Sequence, residues 1–118
     1  ERASLGLISN QKENADRLAQ LWASFHQESP TGQRSLLRQI FAAIRYSAPA
    51  SLEKPVLVLK SAGDRMVDPG CSDALSQRLN AELKTHPSAG HHLALDDPQW
   101  VIEQITRWLD SESLRQSR

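Results

Sequence analysis

Two residues with acid–base side chains each follow a segment that is predicted to be a β-strand. Asp64 comes shortly after the apolar run 56–59, and His91 comes shortly after a second candidate strand at 82–86. If the two strands are parallel neighbours, their carboxyl ends bring the carboxylate and the imidazole to the same edge of the sheet. A carboxylate bonded to one ring nitrogen fixes the tautomer and stabilises the imidazolium, so the other nitrogen can act as a general base. The spacing therefore predicts that Asp64 and His91 form a catalytic pair that activates a nucleophile.

A catalytic serine is the component that this sequence does not supply. The motif G-x-S-x-G, which places a serine on a sharp strand-to-helix turn, occurs nowhere in the 118 residues. The chain begins at Glu1, and its single methionine, Met66, is internal. We therefore expect that residue 1 is not a native start, through processing or truncation, and that the nucleophile lies upstream in a parent protein.

The composition argues against several classes of function. Fourteen basic residues balance fourteen acidic ones and neither sign forms a long block, unlike a nucleic-acid-binding surface or a basic membrane-surface helix. There is no signal segment and no apolar run of membrane-spanning length, so we expect a soluble chain without a membrane span. Cys71 is the single cysteine, which excludes an intrachain disulfide or a thiolate zinc site and makes a reducing, cytoplasmic setting the default.

Residues 1–54 have the pattern of a helical hairpin. Apolar residues recur at three- and four-residue spacing along 10–27 and again along 33–47. Turn-forming residues at 29–32 separate the two stripes. The second helix is expected to stop before Pro49, because the residue that precedes a proline is disfavoured in the helical conformation.

Strands and helices alternate from Pro55 onward. In chain order the pattern predicts a strand at 56–60, a helix from Asp68 to Asn80, a weaker strand at 83–86, and a helix from Asp97 to Leu109 before a polar tail at 110–118. This alternation is typical of a right-handed parallel βαβ unit with a covering helix. Two strands alone leave faces and edges exposed, so we expect a second copy of the chain or a missing N-terminal half to complete the sheet.

Three short motifs in this region resemble the α/β-hydrolase family. The segment 63–69, Gly-Asp-Arg-Met-Val-Asp-Pro, is similar to the loop after that family's seventh strand, which carries an aspartate. Ala89-Gly90-His91 is similar to the histidine loop after the eighth strand, and Asp97-Pro98 would open the final helix. More narrowly, the amino-acid sequence of residues 90–98 is similar to that of uncharacterised bacterial α/β-fold hydrolases. The specific resemblance covers 55–109, whereas the helical hairpin matches only the position of the family's cap.

The resemblance implies a fold class and an activity. The fold class would be α/β, as the C-terminal part of an α/β-hydrolase fold, with a helical cap-like segment at 1–54 and two parallel strands with flanking helices at 55–118. The activity would be that of a serine hydrolase acting on an ester or related acyl bond of a small molecule, with Asp64 and His91 completing a Ser-Asp-His triad. No cofactor or metal ion is implied, and this chain alone is expected to be inactive.

Neighbouring residues offer rival assignments for the acid and the base. Asp68 is a rival acid, but beside a proline it is better explained as a helix cap. His92 is a rival base, for which a partly exposed loop position is the plainer interpretation. His86, at the end of a strand, is interpreted as structural. Asp64 alone would suit a turn, and it is the register with His91 that favours a catalytic role.

A metal site and a thiol nucleophile are weaker alternatives. Histidine and carboxylate ligands suit zinc, but the spacing of His86, His91, His92 and Asp96 matches no metal motif. Cys71 lies at the start of a helix, on the wrong side of the acid for a nucleophile. The remaining aromatic and basic candidates are interpreted as core tryptophans and a solvated arginine face: Trp100, Trp108, Arg34, Arg38 and Arg45.

Two functional hypotheses from different classes therefore stand. In one, the chain is the C-terminal portion of a serine hydrolase. In the other, it is a non-catalytic α/β binding or assembly module, in which the aspartate and histidine are incidental. A G-x-S-x-G motif upstream in the parent gene discriminates between them. The identity of the substrate is not encoded here, since the fold alone does not choose among esterase, lipase, thioesterase and peptidase.

Overall fold

The computed structural model describes residues 6, 9–11, 15–28 and 32–116. Its elements, in chain order, are α1 (Ala15–Glu28), α2 (Gln33–Arg45), β1 (Leu57–Ser61), α3 (Pro69–Leu79), β2 (Glu82–His86), α4 (Leu93–Asp96) and α5 (Pro98–Gln116). The two strands form a two-stranded sheet. The structure thus confirms the predicted α/β class.

The two strands pair in parallel, as the alternation of elements predicts. Their register runs from Leu57 opposite Glu82 to Ser61 opposite His86, and each strand lies within one residue of its predicted bounds. Because the last residues of the strands are opposite each other, the two loops that follow start side by side. This places the segments that carry the predicted acid and base at one edge of the sheet.

Helix α3 joins the strands and has the predicted signals at both ends. Asp68 caps its N-terminus by accepting a hydrogen bond from the Gly70 N–H at 2.8 Å. Asn80 ends it in the left-handed conformation, with φ of 50°. The ammonium of Lys60 lies 2.5 Å from the Asp73 carboxylate, an ion pair that ties β1 to α3. The crossover helix is therefore fixed at both ends and along its length.

Helix α5 begins as predicted but does not end as predicted. The Asp97 carboxylate accepts a hydrogen bond from the Trp100 N–H at 2.9 Å, so the cap is confirmed. The helix then runs through the segment predicted as a polar tail, as far as Gln116. A polar composition does not end a helix that no glycine or proline interrupts, and an ion pair between Glu112 and Arg115 spans its last turns.

The apolar face of α5 is only partly covered. Trp100, Val101 and Trp108 are half-buried, in keeping with the predicted core face. Ile105 and Leu109, on the same helix, are 40% and 52% exposed. The short helix α4, which precedes α5, was not predicted, since four residues carry no readable periodicity.

The two N-terminal helices are present where the apolar stripes predict them. Helix α2 ends before Pro49, as expected, while residues 29–31 of the predicted turn lie outside the described residues. Every α2 side chain that the structure describes is exposed, including Phe41 at 63% and Ile44 at 74%. Its apolar face is therefore not part of the core.

The core is small for a chain of this length. Within the part of the chain that the structure describes, the buried apolar residues are Ala19, Val58 and Ala89. The accessible surface is 9117 Å², against about 6400 Å² for a compact monomer of the same mass. The excess fits the expectation that two strands cannot bury both of their faces. None of the described helices combines the length and the apolar composition needed to cross a membrane.

Candidate active site

The acid side of the site is the turn that follows β1. One carboxylate oxygen of Asp64, Oδ1, accepts hydrogen bonds from the N–H groups of Met66 at 2.8 Å and Val67 at 3.0 Å. These two bonds hold the side chain in one orientation within its own loop. The other oxygen, Oδ2, is left for a partner outside the turn.

That partner is His91. Its Nδ1 lies 2.8 Å from Asp64 Oδ2, so the structure brings together the two residues that were predicted to pair. The ring is 39% exposed, whereas the carboxylate is only 13% exposed. Since the carboxylate accepts, Nδ1 carries the proton, and Nε2 has no hydrogen-bond partner among the described residues. An unprotonated, accessible Nε2 is what a general base needs.

The Asp64 carboxylate is held in its ionised form. Burial by itself raises the pKa of Asp64, but hydrogen bonds from the Val67 N–H, the His91 ring and the Met66 N–H lower it below its usual value. An ionised carboxylate can both accept from Nδ1 and stabilise the imidazolium that forms when Nε2 takes a proton.

The two loops touch at Gly63, immediately before the acid. A Cβ at this position would lie 2.7 Å from the carbonyl oxygen of Ala89 and 2.8 Å from that of Ser88. The hydroxyl of Ser61 strengthens the contact by donating to the Ala89 carbonyl at 2.5 Å. Only glycine allows the acid loop and the histidine loop to approach this closely.

The buried carboxylate of Asp96 supports the histidine loop. From the sequence, Asp96 was considered only as a possible metal ligand. Asp96 accepts hydrogen bonds from the N–H groups of Gly90 at 2.6 Å and Asn10 at 2.8 Å, and from the Ser9 hydroxyl. Burial by itself raises the pKa of Asp96, but these hydrogen bonds lower it below its usual value. The pair Asp96-Asp97 before Pro98 was a partial signal, because only one of two such acids can cap the helix.

Gly90, the residue before His91, is held by a hydrogen bond from its backbone N–H. No glycine in the described ranges has a positive φ. The Gly90 N–H donates to the buried Asp96 carboxylate. The residue before His91 is thus fixed by a hydrogen bond and not by left-handed backbone.

Asn10 is a further residue of the site that was not predicted from the sequence. Its side-chain Nδ2 donates to the carbonyl of Gly63 at 3.1 Å and to that of Ser88 at 2.8 Å. It therefore bridges the acid loop and the histidine loop. The guanidinium of Arg65 draws in the same N-terminal segment by donating to the Ser9 carbonyl at 3.3 Å. Contacts across more than fifty residues leave no trace in local periodicity.

His86, which was predicted to be structural, has both ring nitrogens occupied. Nδ1 accepts from the Ala89 N–H at 2.8 Å and the Ser88 N–H at 3.2 Å, and Nε2 lies 3.3 Å from Asp97 Oδ2. The ring also meets Trp100 edge to face, with centroids 5.0 Å apart. A hydrogen bond from the Trp100 N–H, and then the His86 ring, lower the pKa of Asp97 against the opposing effect of burial.

Among the described residues, the other candidates make no hydrogen bond to Asp64 or His91. The Asp68 carboxylate faces its own helix as a cap. His92 is exposed at the start of α4, and Cys71 is exposed in the first turn of α3. Across the described ranges, no three His, Cys, Asp or Glu side chains are grouped in a way that could hold a metal ion. The arginines at 34, 38 and 45 are exposed, as the solvated face predicts.

Comparisons of this chain with protein-family models, with curated proteins and with solved structures found no match. The function is therefore inferred from the geometry of the Asp64–His91 pair.

Proposed function

We propose that this chain supplies the acid, Asp64, and the base, His91, of a Ser-Asp-His triad in a serine hydrolase. The observation that carries the proposal is the 2.8 Å contact between Asp64 Oδ2 and His91 Nδ1, at the adjacent carboxyl ends of two parallel strands. In open α/β sheets this edge is where ligands bind. The chain order, acid before histidine, is that of α/β-hydrolases, so β1 and β2 take the places of that fold's last two strands.

The two ring nitrogens of His91 have different roles in the proposed mechanism. Asp64 holds Nδ1 and so keeps Nε2 free to remove the proton from the serine hydroxyl as it attacks the acyl carbon. The carboxylate then stabilises the imidazolium, which returns the proton to the leaving alcohol. The serine and the N–H groups that bind the oxyanion come from outside these 118 residues, since no G-x-S-x-G occurs in them.

A simple turn role does not account for all of the Asp64 side chain. Asp68, four residues on, shows what a cap needs, since one of its oxygens accepts from the Gly70 N–H. Asp64 meets the equivalent need with Oδ1 alone and uses Oδ2 to bind His91. The second bond, made to a residue 27 positions away in the chain, favours a function beyond the turn.

The wider proposal covers the substrate and the setting. Residues 1–54 would belong to the cap and 55–118 to the core of the hydrolase, and the substrate would be a small-molecule ester or related acyl compound. A single, exposed cysteine, Cys71, is in keeping with a reducing compartment such as the cytoplasm. The exposed apolar face of α2 favours a second candidate function, a non-catalytic assembly module, which predicts no dependence of any turnover on His91.

Ester turnover by the parent protein tests the proposal. Asp64→Asn and His91→Ala are each expected to lower kcat by about 10⁴-fold, because triad residues act as a unit. His92→Ala is the matched control, since His92 is the neighbouring exposed histidine, and it should retain activity within about threefold. Turnover in His91→Ala equal to that of the wild type, or a parent gene without G-x-S-x-G, contradicts the proposal.

A further inference from the structure

The N-terminal segment 9–11 is bonded to both loops of the candidate site. Asn10 donates from Nδ2 to the carbonyl of Gly63 in the acid loop and to that of Ser88 in the histidine loop. Asp96, which follows the histidine loop, accepts from the N–H of Gly90. Gly63 directly precedes Asp64, and Gly90 directly precedes His91. Each of the two residues of the pair is therefore held by a hydrogen bond to the backbone of the residue before it.

The two anchors are themselves joined. The Asn10 N–H donates to Asp96 Oδ2 at 2.8 Å, and the Ser9 hydroxyl donates to Asp96 Oδ1. Ser9, Asn10 and Asp96 thus form a connected set, here called the clamp. Ser9 and Asp96 are each only 9% exposed, so little competing water reaches the bonds between them.

The clamp contains more hydrogen bonds between distant parts of the chain than ordinary loop packing requires. A buried carboxylate is costly unless its oxygens are fully bonded, and Asp96 accepts from three donors, two of which lie more than 85 residues away in the chain. One side-chain amide, that of Asn10, spans the two loops by donating to Gly63 and to Ser88. A set of hydrogen bonds that compensates for the burial of Asp96 and that ends on the residues before the acid and the base fits a positioning role.

We infer that the clamp is a positioning device that sets the Asp64–His91 geometry, an inference that rests on the proposed function. Ser9, Asn10 and Asp96 would not touch the reacting atoms. They act through the backbone of Gly63 and Gly90 and so keep Asp64 Oδ2 within hydrogen-bond distance of His91 Nδ1.

The tautomer of His91 reports on this geometry directly and needs no substrate. In the 118-residue chain, ¹⁵N NMR of the neutral ring gives the ratio of the Nδ1–H to the Nε2–H form. We expect the Nδ1–H form to dominate for His91, because Asp64 accepts from it. Asn10→Ala and Asp96→Asn are each expected to lower this ratio about tenfold. Either change should misalign the hydrogen bond from His91 Nδ1 to the charged Asp64 carboxylate, and the loss of one such bond has an effect of this size.

Asp73→Asn is the matched control. It makes the same carboxylate-to-amide change and breaks the ion pair between Asp73 on α3 and Lys60 on β1. Neither residue lies in the acid loop or the histidine loop, so the His91 ratio should not change. Asn10→Ala and Ser9→Ala remove small polar groups and keep the decision independent of Asp96→Asn, should that variant unfold. An unchanged His91 ratio in Asn10→Ala with a native amide spectrum overturns the inference, as does a wild-type ring that is not in the Nδ1–H form.

The result is separable from the proposed function. A clamp that fixes the His91 tautomer in a parent protein without esterase activity would leave the positioning role standing and remove only the hydrolase assignment. Wild-type tautomer ratios in the clamp variants, together with a turnover that depends on His91, would do the reverse.

Discussion

Two aspartate–histidine pairs lie near the same end of the sheet and differ in which partner faces solvent. In the Asp64–His91 pair, the carboxylate is 13% exposed and the ring is 39% exposed. In the Asp97–His86 pair the order is reversed, with the carboxylate 42% exposed and the ring 11%. The O···N distances differ as well, at 2.8 Å for the first pair and 3.3 Å for the second.

The difference shows what a histidine needs, beyond a nearby carboxylate, to be able to act as a general base. His86 uses Nδ1 to accept two backbone N–H groups and Nε2 to bind Asp97, so no ring nitrogen is left for a substrate. His91 uses Nδ1 alone, and its shielded carboxylate partner is fixed by backbone N–H groups. One pair holds a loop together, and the other has the form of a general base.

The largest difference between the pairs should appear in stability. His86→Ala removes a ring packed on Trp100 and leaves the N–H groups of Ser88 and Ala89 without their acceptor. We expect it to lower the free energy of unfolding by about 3 kcal/mol. His91→Ala, at an exposed position, should cost less than about 1 kcal/mol. Urea unfolding followed by circular dichroism measures both variants, and equal losses would remove the structural distinction.

Gly63→Ala should have a smaller effect, confined to the contact between the loops. A Cβ there meets the backbone carbonyls of Ala89 and Ser88 below 3 Å, and these atoms cannot rotate away. We expect a loss of about 2 kcal/mol in unfolding free energy. Gly32→Ala is the control, because a Cβ at that position has nothing within 4 Å. Similar denaturation midpoints for the two variants would show that the loops are not in close contact.

The smallest expected effect is the pH dependence contributed by Asp64. Its pKa in the folded chain is lowered from the ordinary 3.8. A lowered pKa stabilises the fold above the unfolded value, and the stabilisation is lost as the pH falls through the folded value. The difference in unfolding free energy between wild type and Asp64→Asn should therefore be constant near about pH 5 and shrink below 3.8. Denaturation at a series of pH values measures this difference in unfolding free energy. A difference that grows on acidification would contradict a lowered pKa for Asp64.

Local sequence signals were enough for the elements that carry the pair. An unbroken apolar run and an Asp-Pro helix start are short-range features, and they predicted β1 and α3 to within a residue or two. The weaker strand pattern at 83–86 predicted β2 equally closely. The pairing of Asp64 with His91 followed from parallel topology, which places both loops at one edge.

The parts that could not be predicted depend on contacts distant in the chain. The bonds from Ser9 and Asn10 to Asp96 connect residues more than 85 positions apart, and no periodicity marks them. The exposure of α2 was also hidden, since an amphipathic stripe shows that a face is apolar and not what covers it. The role of Asp96 could not be predicted either, because it depends on contacts with Ser9 and Asn10 in the N-terminal segment.

The labelling site of a fluorophosphonate probe tests the central claim most directly. In the parent protein, peptide mapping by mass spectrometry should place the label on the serine of a G-x-S-x-G motif outside these 118 residues. The labelling rate should fall at least about 10³-fold in His91→Ala and remain near that of the wild type in His86→Gln, provided that this variant is folded. Labelling of Ser61 or Ser88, or an unchanged rate in His91→Ala, would contradict the assignment of His91 as the base.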